Sequence, residues 1–150
     1  KRLRSKAQSL IMTEKVFFNW DWVNLQLALI HQQVSKVKYN IRHVSGIPRG
    51  GLIPAVLFSH RYGFKFMELE QAKNLTTAAR KQVLVFDDIA DTGITLSELE
   101  GYAFRTATLA TREGSKIIPT FTGELITNDD WLVFPWEEKD SKTIQDYLVK

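Results

Sequence analysis

The sequence contains no cysteine, which excludes disulfides, thiol catalysis and cysteine-ligated zinc. It also lacks any apolar run approaching the roughly 18 residues that a membrane-spanning helix needs. The early residues carry no apolar core followed by a small-residue cleavage site, so no secretory signal is visible. Together these absences fit a cytoplasmic protein with no membrane partner. Neither a glycine-rich loop ending in Gly-Lys-Ser/Thr nor a G-x-G-x-x-G string occurs, which disfavours P-loop NTPases and dinucleotide enzymes. The three histidines, His31, His43 and His60, have no metal-ligand spacing among them.

Charge of one sign is also scarce once its location is considered. The formal net charge is +3, and Lys1, Arg2, Arg4 and Lys6 contribute four of the positive charges. The rest of the chain is therefore close to neutral, without the basic face that tracks a nucleic-acid backbone. Met12-Thr13-Glu14 reads as a natural start, and residues 1–11 as a disordered leader or extension. What remains, residues 12–150, is expected to form one domain, a size that supports a single real core.

Hydrophobic periodicity sets out an alternating pattern. Asn19 or Asp21 can cap a helix whose Val23, Leu27, Ile30 and Val34 recur on one stripe. Ile41 to Ser45 is a short strand candidate. Leu52 to Arg61 reads as a helix, with Pro54 tolerated in its first turn and Gly63 as its stop. Phe64, Phe66 and Leu69 suggest a second strand. The polar stretch EQAKNLTTAAR, residues 70–80, lacks periodicity and reads as a mobile loop. Val83 to Phe86 is a continuous apolar run, as in a strand buried on both faces. A helix is expected from Thr95, where Thr95-Leu96-Ser97-Glu98 has the form of a capping box. Ile117 to Phe121 and Trp131 to Phe134 read as strands, and Ser141 to Leu148 as a final helix. Strands alternating with helices predict an α/β fold with a mainly parallel sheet flanked by helices.

The most informative stretch is VLVFDDIADTGITL, residues 83–96. A buried strand runs into Asp87-Asp88, then Asp91, then a Thr92-Gly93 turn and a helix start. Ligands of open parallel sheets bind beyond the carboxyl ends of the strands. Backbone N–H groups from Thr92 to Thr95, together with two threonine hydroxyls, would cradle a phosphate at the helix entrance. Carboxylates beside a phosphate repel it unless a third group lies between them. Mg2+ and a sugar diol both meet that need, one as an oxygen-seeking cation and the other as a pair of O–H donors. The pattern thus predicts a sugar phosphate with a metal nearby. Surface aspartates around a capped helix would be the plain alternative for a shorter match.

This string resembles the phosphoribosyl pyrophosphate (PRPP) signature of type I phosphoribosyltransferases. SGIPRGGLIPA, Ser45 to Ala55, resembles the family's pyrophosphate loop. MTEKVFFNWDWVNLQLALI, from Met12, resembles the opening of the xanthine-guanine enzymes, and DDWLVFPWE, Asp129 to Glu137, their C-terminal base-binding segment. The resemblance implies a three-layer fold with a small C-terminal hood over the base. It implies transfer of the 5-phosphoribosyl group to a 6-oxopurine with release of pyrophosphate, in a homodimer or homotetramer using Mg2+.

Carried over residue by residue, Asp87 and Asp88 would bind the ribose hydroxyls, with Asp88 also near the metal. Asp91 would be the general acid/base at the purine N7. Thr92, Gly93, Ile94 and Thr95 would hold the 5′-phosphate, and Arg49, Gly50 and Lys73 the pyrophosphate. Trp131 would stack on the base while the Leu132 backbone reads its edge. The family often has a cis peptide in the pyrophosphate loop, and Pro48 departs from its usual small polar residue. A lysine that contacts the 6-oxo group is expected after the strand at Ile117–Phe121, where this chain reads Thr122-Gly123-Glu124. The competing reading is a regulator of the same fold that binds PRPP or nucleotide together with nucleic acid, favoured only by the basic leader.

Overall fold

The computed structural model describes residues 14–138. The leader and the helix expected at Ser141–Leu148 lie outside them. Strand β1 is Lys15–Phe17, and helix α1 is Trp20–Lys36. Asn19 caps α1, its side-chain oxygen accepting from the Trp22 N–H at 2.8 Å, which satisfies one of the orphan donors of the first turn. Strand β2 is His43–Gly46, helix α2 is Leu52–Tyr62 and strand β3 is Lys65–Phe66. Gly63 ends α2 in the left-handed conformation at φ 79°, a position where a Cβ is costly. Helix α3 is Leu69–Lys73, α4 is Thr77–Arg80, and strand β4 is Val83–Ala90. Helix α5 is Ile94–Ser97, and strands β5, β6 and β7 are Arg105–Arg112, Phe121–Ile126 and Trp131–Val133.

Five strands form a parallel sheet in the order β3-β2-β4-β5-β6, with β4 at its centre. Leu84 and Phe86 face the layer made by α1 and α2, packing with Val23, Leu27, Ile30, Ala55 and Phe58. Val83 and Val85 face the opposite layer with Leu69, Ala72, Leu96 and Leu99. That alternation on a strand buried on both faces is what the run VLVF dictates. Burying a large apolar side chain such as Phe58 contributes roughly 1.5–3 kcal/mol, so helices on both faces are required. A separate parallel pair, β1 with β7, places Lys15 beside Trp131 and Phe17 beside Val133. This pair is the small hood, built from the two ends of the described chain.

Several expectations are corrected. Strand β4 does not stop at Phe86 but carries Asp87 and Asp88 within it. Strand β5 lies where no strand was expected, because RTATLATR pairs small alanines with threonines rather than large apolar residues. In a buried central strand the β-branched threonines pack well and bond to one another instead. The strand expected at Ile117–Phe121 begins only at Phe121. The Thr95–Glu98 capping box does not form, since Gly93 is the N-cap and no side chain caps the helix.

Residues 70–80 are not a loop but the bulk of α3 and α4. Arg80 provides the reason. Its Nε donates to the Tyr102 carbonyl at 2.7 Å, and its other nitrogens donate to the Leu75 carbonyl and the Thr77 hydroxyl. Hydrogen bonds from a charged donor are worth more than neutral ones. Arg80→Ala should therefore lower stability by about 2 kcal/mol and accelerate amide exchange across residues 69–81. Urea denaturation checks the first effect, and an unchanged midpoint would mean that this guanidinium does not fix the segment.

Candidate active site

All five strands of the sheet are parallel, so their carboxyl ends share one edge. Three connections meet there: the turn after β2, the segment after β4 and the segment after β5. The turn after β2 is pressed against the central strand. Ile47 N–H donates to the Phe86 carbonyl at 2.9 Å, and Gly51 N–H donates to the Ile47 carbonyl at 2.9 Å. A Cβ on Gly51 would strike the Phe86 carbonyl oxygen, so only glycine permits this approach. The Pro48–Arg49 peptide is cis, matching the feature the resemblance implies for this loop. Arg49 is exposed on the turn, and a Cβ on Gly50 would meet the Asp88 carboxylate. The turn after β2 and Asp88 are thus in one place, although 36 residues lie between Gly51 and Asp88 in the chain.

Asp87 and Asp88 are held by the strand that bears them. Asp87 is only 3% exposed. Its Oδ1 accepts from the Asp88 N–H at 2.9 Å, and Asp88 Oδ1 accepts from the Ile89 N–H at 2.8 Å. Across the pair the side-chain alternation slips by one place. Ile89 packs on the face of Leu84 and Phe86, and Ala90 on that of Val83 and Val85. Strand β5 shows the same slip, because Thr108 and Thr111, three residues apart, bring their hydroxyls to 2.9 Å. Residues three apart on a regular strand point to opposite faces. Such local irregularities re-aim side chains at the rim of a sheet.

Beyond β4 the chain makes the expected turn. Gly93 has φ 91°, and a Cβ there would also lie 2.7 Å from the Ile117 N atom. Two separate constraints therefore require glycine. The Lys116 N–H donates to the Thr92 carbonyl at 3.1 Å, fastening the segment after β5 to the turn. Thr92 Oγ1 accepts from the Ile94 N–H at 3.3 Å. Thr92 and Ile94 are exposed and Thr95 is partly so, leaving the mouth of the turn open toward solvent.

Asp91 is paired with Arg112, the last residue of β5, at 2.9 Å between Nε and Oδ1. The other two guanidinium nitrogens donate to the carbonyls of Asn128 and Asp130 at 2.6 and 3.0 Å. The next residue is Trp131, half-buried in the hood, with Lys15 Nζ 4.9 Å from its ring centroid. Leu132 is buried beside Ala110 and Ile126. Arg112 was not among the residues expected at the site. The strand that delivers it was missed, and with it the cation at the carboxyl end of β5. Thr122–Glu124, expected as a loop after a strand, lie inside β6.

Of the expected site residues, the structure brings together Arg49, Gly50, Asp87, Asp88, Asp91, Thr92, Gly93, Ile94 and Thr95. Trp131 and Leu132 are joined to them through Arg112. Lys73 is not brought there. It pairs with Glu70 at 3.1 Å and lies 5.5 Å from the Tyr102 ring centroid. Tyr102 precedes β5, at the amino edge of the sheet, so the Lys73 side chain is engaged there.

Whether the donors suit Mg2+ follows from their number. Among the described residues, no group of three or more His, Asp or Glu side chains could hold a metal ion. Mg2+ commonly takes one or two carboxylates and completes its shell with water and substrate phosphates. The half-buried Asp88 carboxylate, set against the Gly50 turn, fits that pattern.

No family model matches the sequence. The fold is shared with solved structures at low identity. A purine phosphoribosyltransferase from Pyrococcus horikoshii Ot3 superposes with a TM-score of 0.67 at 23% identity, covering 88% of this chain and 99% of that one. The Helicobacter pylori xanthine-guanine-hypoxanthine phosphoribosyltransferase gives 0.69 at 16% identity, over 83% and 93%. A hypothetical protein from Neisseria gonorrhoeae with bound ppGpp gives 0.61 at 21%, over 86% and 92%. This chain accordingly has the α/β fold of the type I phosphoribosyltransferases, a parallel sheet flanked by helices.

Proposed function

We propose that this protein is a Mg2+-dependent purine phosphoribosyltransferase that joins a 6-oxopurine to C1 of PRPP and releases pyrophosphate. The observation that carries the reading is the meeting, at one sheet edge, of the Arg49–Gly51 turn, the Asp87–Asp88 pair and the Asp91–Thr95 turn. Each has the chemistry of one part of PRPP. The amides and hydroxyls of Thr92 to Thr95 receive the 5′-phosphate. Asp87 and Asp88 accept hydrogen bonds from the ribose diol, and their charge favours a sugar on which positive charge grows as the leaving group departs. Arg49 offers a planar fork to the pyrophosphate. Asp88, with water and the phosphates, would hold Mg2+, which when bound neutralises charge on the departing pyrophosphate.

The purine is seated against Trp131, with the Leu132 backbone at its edge. Base–aromatic stacking of this kind is worth about 1–3 kcal/mol where measured in nucleic-acid binding. Asp91 exchanges the proton at N7. Lys73, expected to meet the pyrophosphate, here pairs with Glu70 beside Tyr102, so the scheme does not rely on it. The turns and the hood must therefore limit water around the cationic sugar. A second reading, a regulator that binds a nucleotide without turning it over, draws on the ppGpp held by the Neisseria gonorrhoeae protein of the same fold. A near-neutral body gives nucleic-acid binding no electrostatic footprint.

The test is a panel of purine and pyrimidine bases incubated with PRPP and Mg2+, scored by pyrophosphate release. A 6-oxopurine should turn over, and chelation of the metal should abolish the signal. Asp91→Asn should lower kcat by roughly 100-fold or more, the range of a lost general acid/base. Turnover on no base, with tight nucleotide binding retained, would favour the regulator. Trp131→Ala should raise the KM for the base by about tenfold, from the stacking energy, and leave the KM for PRPP within twofold. Equal losses for both substrates would remove the indole from the base seat.

A further inference from the structure

Arg112 joins two parts of the site that lie far apart in the chain. Asp91 belongs to the turn after β4, and Asn128 and Asp130 belong to the strand entry that leads to Trp131. One guanidinium spans them, with Nε on the Asp91 carboxylate and the other two nitrogens on the two carbonyls. Its side chain is 16% exposed against 42% for Asp91, so the cation is the more sheltered partner and the carboxylate keeps an open side. Position and rigidity both follow from the fold. Arg112 closes β5, whose final residue is paired with Ile126 of β6, and the next residue is tied back by Glu113 N–H to the Ile126 carbonyl at 2.8 Å. The entry to the hood is stiffened as well. Asp130 N–H donates to Asn128 Oδ1 at 3.1 Å, and Trp131 N–H donates to the Glu14 carbonyl at 2.9 Å.

A guanidinium is suited to this arrangement and an ammonium is not. Its nitrogens lie in one plane with fixed directions, so three acceptors are held at fixed mutual distances. Lysine could keep the ion pair with Asp91 or reach a carbonyl, but its single nitrogen cannot set the separation between the two. With all three nitrogens engaged, Arg112 has no need to touch the substrate to matter.

We infer that Arg112 is a positioning residue: it sets the reach between the acid/base carboxylate of Asp91 and the base seat that begins at Trp131. The inference rests on the proposed transferase reading. The requirement is geometric, because a displacement of about 1 Å between a reacting group and its catalyst can cost roughly 100-fold in rate.

The experiment compares wild type, Arg112→Met, Arg112→Lys, Asp91→Asn and the Asp91→Asn/Arg112→Met double variant. Steady-state transfer is measured with separate KM values for PRPP and base, beside thermal melting and amide exchange over residues 127–132. Arg112→Met should lower kcat by roughly 100-fold, leave the KM for PRPP within about twofold and speed exchange in the hood entry. Arg112→Lys should melt like wild type yet recover less than a tenth of its kcat. The double variant should be no slower than Asp91→Asn alone, since a residue acting through Asp91 has nothing left to position.

Multiplicative losses in the double variant would overturn the inference, as would Arg112→Lys with full activity or Arg112→Met with wild-type kcat. A kcat loss that tracks melting and raises both KM values alike would also overturn it, leaving Arg112 as a staple of the fold. A wild type inert toward every base defeats the transferase reading itself. An active wild type beside an unimpaired Arg112→Met defeats this inference alone.

Discussion

The structure depends on one strand reaching the edge of its sheet with carboxylates still attached to it. Strand β4 is covered on both faces by apolar side chains up to Phe86, and its next residue is an aspartate that is almost wholly buried. A buried carboxylate is costly unless it is bonded. Here the backbone supplies part of the answer, since each aspartate accepts from the N–H of the residue after it. The price in regularity is a slip of the pleat, shared with β5, and that slip aims the next side chains differently from the ones before.

Around that strand the turns are brought in by absence of side chains. Gly51 lets the turn after β2 lie on the Phe86 carbonyl, and Gly93 lets the segment after β5 lie on the turn after β4. Backbone packed this closely brings the turns against the central strand without side chains between them. Amides and short hydroxyls suit phosphate, because they offer donors at fixed positions without the entropy of a long side chain. The apolar layers on both sides of the sheet therefore have a chemical consequence: they hold three loops still enough for such contacts to be preorganised.

The far edge of the sheet shows the opposite economy. There the α3–α4 segment is folded down by Arg80 and by Lys73 pairing with Glu70, beside Tyr102. A polar stretch without periodicity reads as a loop because nothing in it predicts which carbonyls a distant arginine will find. The same limit applied to β5. Ala107, Leu109 and Ala110 are buried there, yet the threonines between them mask the apolar signal, and their hydroxyls are satisfied by Thr122 on the neighbouring strand.

Local chemistry was therefore readable in the chain and long-range pairing was not. The run VLVF, the glycine stops, the Asn19 cap and the order of acids and amides from Asp87 to Thr95 are properties of consecutive residues. They specified a buried strand, a glycine turn beyond its carboxyl end and a parallel α/β fold. Tertiary structure alone decided that Lys73 lies beside Tyr102, that β5 runs beside β4, and that Arg112 closes on Asp91 across 21 positions. Such contacts are set by which strands lie side by side and where each one ends. That depends on the packing of the whole core, and no short window of sequence contains it.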